Sequence, residues 1–129
     1  MAIRVVRLGT PRAKGEGLRL GTVRRPPRGV KKDDFARLNY YDEWLPDLSP
    51  SAELVSWILG EPITPARWTT FTRRYRREMN DPVQRRLIAL LAALSHQTDI
   101  SVGCYCEDES HCHRSVLRDL LTEADARLA

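Results

Sequence analysis

Short apolar runs open this chain, and longer periodic ones follow. Ile3–Leu8 reads as a strand, with Ile3, Val5, Val6 and Leu8 supplying its apolar content. Leu18–Val23 reads as a second short strand. Leu38–Leu45, with aromatic residues at 40, 41 and 44, reads as a third. Between them, Gly9–Gly17 and Arg24–Lys32 are loops rich in glycine, proline and basic residues.

The period then changes. Ser49-Pro50, Thr64-Pro65 and Asp81-Pro82 each place a capping residue before a proline, a helix-start signal. They predict helices over about 50–59, ending at Gly60, over 65–79 and over 82–96. In the second, Trp68, Phe71, Tyr75 and Met79 share one stripe, while Arg73, Arg74, Arg76 and Arg77 fall off it. The third carries Leu87, Ile88, Leu90, Leu91 and Leu94. A final strand, Ile100–Tyr105, precedes an amphipathic helix over Arg114–Leu128 that buries Val116, Leu117, Leu120 and Leu121. Strands, then helices, then a strand and a helix predict a single α/β domain over residues 1–129. It is expected to be a small two-layer or three-layer fold. Its sheet is expected to be short and mostly parallel, flanked by about four helices, with the first and last strands paired in parallel.

At 129 residues the chain suits one domain. Folding buries roughly two-thirds of the unfolded surface at that size, so the core needs neither disulfide nor metal. No apolar run approaches the roughly 18 residues that span a bilayer. The N-terminal residues lack a secretion-signal core, so a cytoplasmic address and no membrane partner are expected. Charge is uneven. Residues 1–32 hold ten Lys/Arg against Glu16 alone; the remainder holds eleven against sixteen acidic residues. A basic half of this kind can meet phosphates, although it has no aromatic residue on which a base could stack.

The strongest chemical signal is Cys104-Tyr105-Cys106-Glu107-Asp108-Glu109-Ser110-His111-Cys112-His113-Arg114. It gathers all three cysteines and two of the three histidines where a strand hands over to a helix. Such junctions hold anions, because free N–H groups and the helix dipole point at one spot. Thiols there become more acidic and can act as nucleophiles. Glu107, Asp108 and Glu109 work against an anion. Zinc is the alternative occupant, through Cys104, Cys106, Cys112 and either His111 or His113, although structural zinc prefers Cys-x₂₋₄-Cys pairs. A Cys106–Cys112 disulfide across the intervening loop is a third reading. The plain one makes Cys104 a core strand residue and His111 an exposed loop residue.

Other residues point to a family. Pro27-Arg28-Gly29-Val30-Lys31-Lys32, Asp42-Glu43-Trp44, and Ser49-Pro50-Ser51-Ala52-Glu53-Leu54 are joined by Phe71, Tyr75 and Glu78 of the second helix. With these the chain resembles the YeaO-like family of small bacterial proteins, a domain of unknown function (DUF488). Cys106-Glu107 and Cys112-His113-Arg114 are similar to a motif in other branches of that broader family. Members usually carry Asp-Arg-Leu-Trp before Pro-Arg-Gly; here Val23-Arg24-Arg25-Pro26 retains only Arg24. The resemblance implies a fold and the place of a site, and names no reaction.

These readings converge on a pocket for an anionic small molecule. Arg114, Arg28, Gly29, Arg24 and Cys112 are expected to bind it. Cys106, helped by His113, is the candidate nucleophile. No cofactor is required, with zinc kept as the alternative. A nucleic-acid or protein-binding module using the basic N-terminal segment is the competing reading.

Overall fold

Strand β4 (Ile100–Cys104) runs through the interior of the sheet, with all five residues buried. In the computed structural model, which describes residues 1–129, β4 lies between β1 (Ile3–Arg7) and β2 (Leu18–Gly21). A two-residue strand, β3 (Glu43–Trp44), completes the order β1-β4-β2-β3. Every pairing is parallel. Ile3 pairs with Ile100, Leu18 also pairs with Ile100, and Leu20 pairs with Glu43. The parallel pairing of first and last strands is as the sequence predicts.

Side chains alternate across a strand. Ile3, Leu20, Ile100 and Val102 therefore share one face. They form a single core with four helices: α1 (Ala52–Leu59), α2 (Pro65–Met79), α3 (Pro82–Leu94) and α4 (His113–Glu123). Leu54, Tyr75, Leu91 and Leu117 bring one buried residue from each helix. No helix is long and apolar enough to cross a membrane.

Loops cover the opposite face. The Tyr41 ring lies against Gly21 so closely that a Cβ there would stand 2.3 Å from a ring carbon. Arg19, fully buried, pairs with Glu16 at 2.7 Å and donates to the carbonyl oxygens of Thr10 and Asn39. A buried cation needs such acceptors, because desolvation otherwise costs more than the pairing returns. The molecule is thus one helical layer, one sheet and a loop cover.

Three of the boundaries that differ from the sequence reading have a visible cause. α1 starts at Ala52 and is capped by Ser51, whose Oγ accepts from the Leu54 N–H at 3.2 Å. Ser49 and Pro50 stay outside the helix, since their carbonyl oxygens accept from the Arg24 guanidinium. Of the expected Leu38–Leu45 strand only Glu43–Trp44 pairs; Asn39 turns the chain at φ 64°, and Tyr41 folds back over Gly21. The last helix stops at Glu123, where Asp125 at φ 68° reverses the chain. Residues 127–129 then lie along β1: the Ile3 N–H donates to Arg127 O, and the Ala129 N–H to Ile3 O.

Candidate functional site: a three-sulfur cluster at the mouth of a cavity

β4 ends at Cys104, and the chain bends at Tyr105 so that the Cys106 sulfur comes back beside that of Cys104. Their sulfurs are 3.8 Å apart. A short 3₁₀ turn, Glu109–His111, then leads to Cys112, the residue that opens α4. The Sγ atoms of Cys104, Cys106 and Cys112 all lie within 4.8 Å of one another. Cys104 and Cys112 are buried and Cys106 is exposed; all three are free thiols.

The loop is tied at both ends. Arg114, in the first turn of α4, is only 4% exposed and donates from its guanidinium to the Cys106 carbonyl oxygen. The three acidic residues of the loop already have partners. Glu107 meets Arg7 at 3.5 Å, Glu109 meets Arg118 at 2.7 Å, and Asp108 accepts from the N–H and hydroxyl of Ser110. Their repulsion toward an anion is correspondingly reduced.

His113 is buried beside the sulfurs. Its Nε2 lies 2.7 Å from the Thr22 carbonyl oxygen, and its Nδ1 lies 3.9 Å from Cys112 Sγ. A carbonyl oxygen only accepts, so Nε2 carries the proton and Nδ1 offers a lone pair toward the thiol. Behind the imidazole, Tyr75 packs edge-on at 5.6 Å and donates its hydroxyl to Leu48 O.

Crowding splits the three acidities. S–H donation from Cys104 and from Cys106 draws the Cys112 thiol far below its ordinary value despite burial. Its place at the start of α4 acts in the same sense. Cys104 is pushed far up, because it donates to Cys106 and Cys112 and is buried. Cys106 gains from Cys104's donation, but its own interaction with Cys112 and its desolvation outweigh that, and its pKa rises. The cluster therefore holds its first negative charge on Cys112.

The cluster faces a cavity of about 350 Å³. Its walls are mainly apolar: Val55, Ile58, Leu59 and Ile63 on and beyond α1, and Phe71 on α2. His111, exposed and edge-on to Trp68 at 5.5 Å, stands at the rim with Arg25. Arg24 lines the same space, with its guanidinium engaged by Ser49 and Pro50.

A family model described as the Active DUF488-N3 subclade matches residues 3–125. The chain belongs to that subclade. It is also similar to "Uncharacterized protein YeaO" of Escherichia coli (strain K12), 29% identical over 121 residues, covering 94% of this chain and 97% of that one. No solved structure matches it.

Within this DUF488 chain the residues singled out from sequence separate into two groups. Cys106, Cys112 and His113 meet at the cavity, with Arg114 buried behind Cys106 and Arg24 in the wall. Arg28 does not join them. It lines a neighbouring depression with Arg25, Pro26, Pro27, Tyr40 and Tyr105, so the two hollows share only Arg25 and Tyr105. Gly29, at φ 71°, turns the loop there.

Sequence reasoning overlooked the brace around the cavity. Glu78 accepts from both the N–H and the hydroxyl of Ser51, at 2.8 and 2.6 Å, and Trp44 donates its indole N–H to Val23 O. Those residues carried the family resemblance, which was the available signal. The basic N-terminal segment is partly spent internally: Arg12 pairs with Asp42, Arg19 with Glu16, and Arg24 with two carbonyls.

Proposed function

We propose that this domain binds a small molecule with an apolar body and an anionic end, and reacts with it through Cys106. The observation that carries this reading is the position of Cys106. It is the exposed sulfur, it stands at the mouth of an apolar cavity, and it lies within 4.8 Å of a more acidic thiol backed by a tautomer-fixed imidazole.

The chemistry follows from the order of acidities. Cys106 is a protonated thiol at rest and needs a base to become a nucleophile. Cys112, which holds the cluster's negative charge, relays that proton to His113 Nδ1 as Cys106 attacks. A bond forms between Cys106 Sγ and an electrophilic carbon, the leaving group departs with its electron pair, and the proton ends on His113 Nδ1. The apolar walls hold the ligand's body, and Arg25 at the rim meets its anionic end.

Alkylation kinetics test this. Iodoacetate and iodoacetamide differ in charge and share a leaving group, so their rate ratio, normalised to that of glutathione, reports anion preference. The expected results are modification confined to Cys106, a ratio above that of glutathione, and loss of the excess in Arg25→Ala. A rate and ratio equal to those of glutathione would refute the reading.

A further inference from the structure

We propose that Cys104, Cys106 and Cys112 form a three-sulfur site for a divalent cation of the zinc class, with its fourth position open to the cavity. This goes beyond the reading above and rests on the same cavity: the cation would hold all three sulfurs as thiolates, while attack by Cys106 belongs to the metal-free chain.

Distance is the first argument. Zinc–sulfur bonds are about 2.3 Å long, and a tetrahedral arrangement of such bonds sets the sulfurs about 3.8 Å apart. Cys104 and Cys106 already stand at 3.8 Å, and the third sulfur is within 4.8 Å of both. A cation therefore needs only a small inward movement of Cys112. Cys104 ends the central strand, Cys106 follows it by two residues, and Cys112 is the N-cap of α4, so regular elements flank the site on both sides.

Charge is the second argument. Three thiols this close cannot all ionise unaided, since each negative charge opposes the next. A dication removes that opposition and leaves a net charge of −1. The start of α4 and the buried Arg114 guanidinium, held on the Cys106 carbonyl, offset the remainder. Sulfur donors select zinc, cadmium or copper(I) over magnesium and calcium.

The open position is the third. His111 and His113 lie outside the group of mutually close ligand atoms. His111 is turned to Asp108, with its Nδ1 at 3.3 Å from the carboxylate, and His113 has its Nε2 on Thr22. Three protein ligands facing a cavity is the pattern of zinc sites that keep a position for water or substrate, not of closed structural ones. The ligand taken there is one with a sulfur, nitrogen or oxygen donor at the end that enters first.

Titrating the reduced, metal-free chain with cadmium ion tests this through the near-ultraviolet sulfur-to-cadmium charge-transfer band. The band should saturate at one ion per chain. Cys104→Ser, Cys106→Ser and Cys112→Ser should each weaken binding at least about tenfold, while His111→Ala leaves it unchanged. Far-ultraviolet circular dichroism checks each variant's fold, and Cys106, being exposed, supplies the variant least able to disturb it. Absence of the band in wild type, or wild-type affinity in folded Cys106→Ser, would overturn the site. The two readings fail separately. Fast alkylation of metal-free protein without a cadmium band removes the metal alone; a cadmium band with glutathione-like alkylation removes the nucleophile alone.

Discussion

His113 gives its Nε2 proton to the carbonyl oxygen of Thr22 at 2.7 Å, and that bond aims Nδ1 at Cys112. The imidazole is locked beside the end of β2 and lines the cavity next to Cys112. Its role is to orient and to take charge from the sulfurs.

That relationship predicts the effect of His113→Asn. Alkylation of Cys106 by iodoacetamide at neutral pH should slow about tenfold or more, since positioned proton acceptors contribute at least that much. Mass spectrometry of the peptide containing Cys106, sampled over time, measures it. An unchanged rate in a folded variant would separate His113 from the cluster's chemistry.

Ser51 caps α1 and also donates its hydroxyl to Glu78. Ser51→Ala removes both bonds and leaves the partly buried Glu78 carboxylate short of a donor. The expected cost is about 2 kcal/mol of unfolding free energy, read from urea denaturation. A loss under about 0.5 kcal/mol, the size of an ordinary surface change, would show that the brace is slack.

Asp42 provides a pH signature. Burial raises its pKa, but bonds from the Arg12 guanidinium and the Arg19 N–H, with the charges of both arginines, outweigh that and lower it below 3.8. A depressed carboxylate stabilises the fold fully above its unfolded pKa and loses that contribution as pH falls through the folded one. The stability gap between wild type and Asp42→Asn should therefore hold from pH 7 to about pH 5 and shrink at pH 3. A gap of constant size across that range would rule out the ion pair as its source.

Gly17 sits at φ 76°, and a Cβ there would lie 1.9 Å from the Asp99 carbonyl oxygen. The oxygen belongs to the backbone and a Cβ is fixed by it, so neither can swing aside. Gly17→Ala should destabilise by about 3 kcal/mol or more and lower the thermal midpoint by well over ten degrees. A near-native midpoint would mean that the loop can shift away from the start of β4.

The sequence carried the outline of this fold because its core is built from regular repeats. The stripe Trp68, Phe71, Tyr75 and Met79 and the apolar content of β1 and β4 are signals any packed layer must leave. The misread segment, Leu38–Leu45, shows what such signals miss. Its aromatics are apolar for covering the back of the sheet, and Tyr41 fits there because Gly21 has no side chain, a match between distant residues that no local window contains. The continuation of the last helix toward Leu128 failed for a different reason. Spacing suits a helix there, but Asp125 turns the chain and residue 128 finds a place beside Ile3.

The candidate site was legible as a neighbourhood and not as a geometry. Cysteine spacing argued against a metal, since Cys-x-Cys followed by a distant Cys is an uncommon ligand pattern. In space the intervening loop closes, with Arg114 on the Cys106 carbonyl, and the third sulfur returns to the first two. The cavity walls on α1 were invisible for a simpler reason: Val55, Ile58 and Leu59 look like any amphipathic helix until one knows which part faces empty space.

An all-parallel sheet leaves two borders, β1 and β3, and unpaired borders are where stray strands adhere. β3 is two residues long, too short to template much. On the other side, residues 127–129 occupy the hydrogen-bonding groups of Ile3, and Arg4 and Arg7 place charge along what remains. The turn at Asp125 thus guards the molecule against zipping onto its own copies. Deleting the last three residues should show itself first as aggregation on standing, before any loss of the cavity.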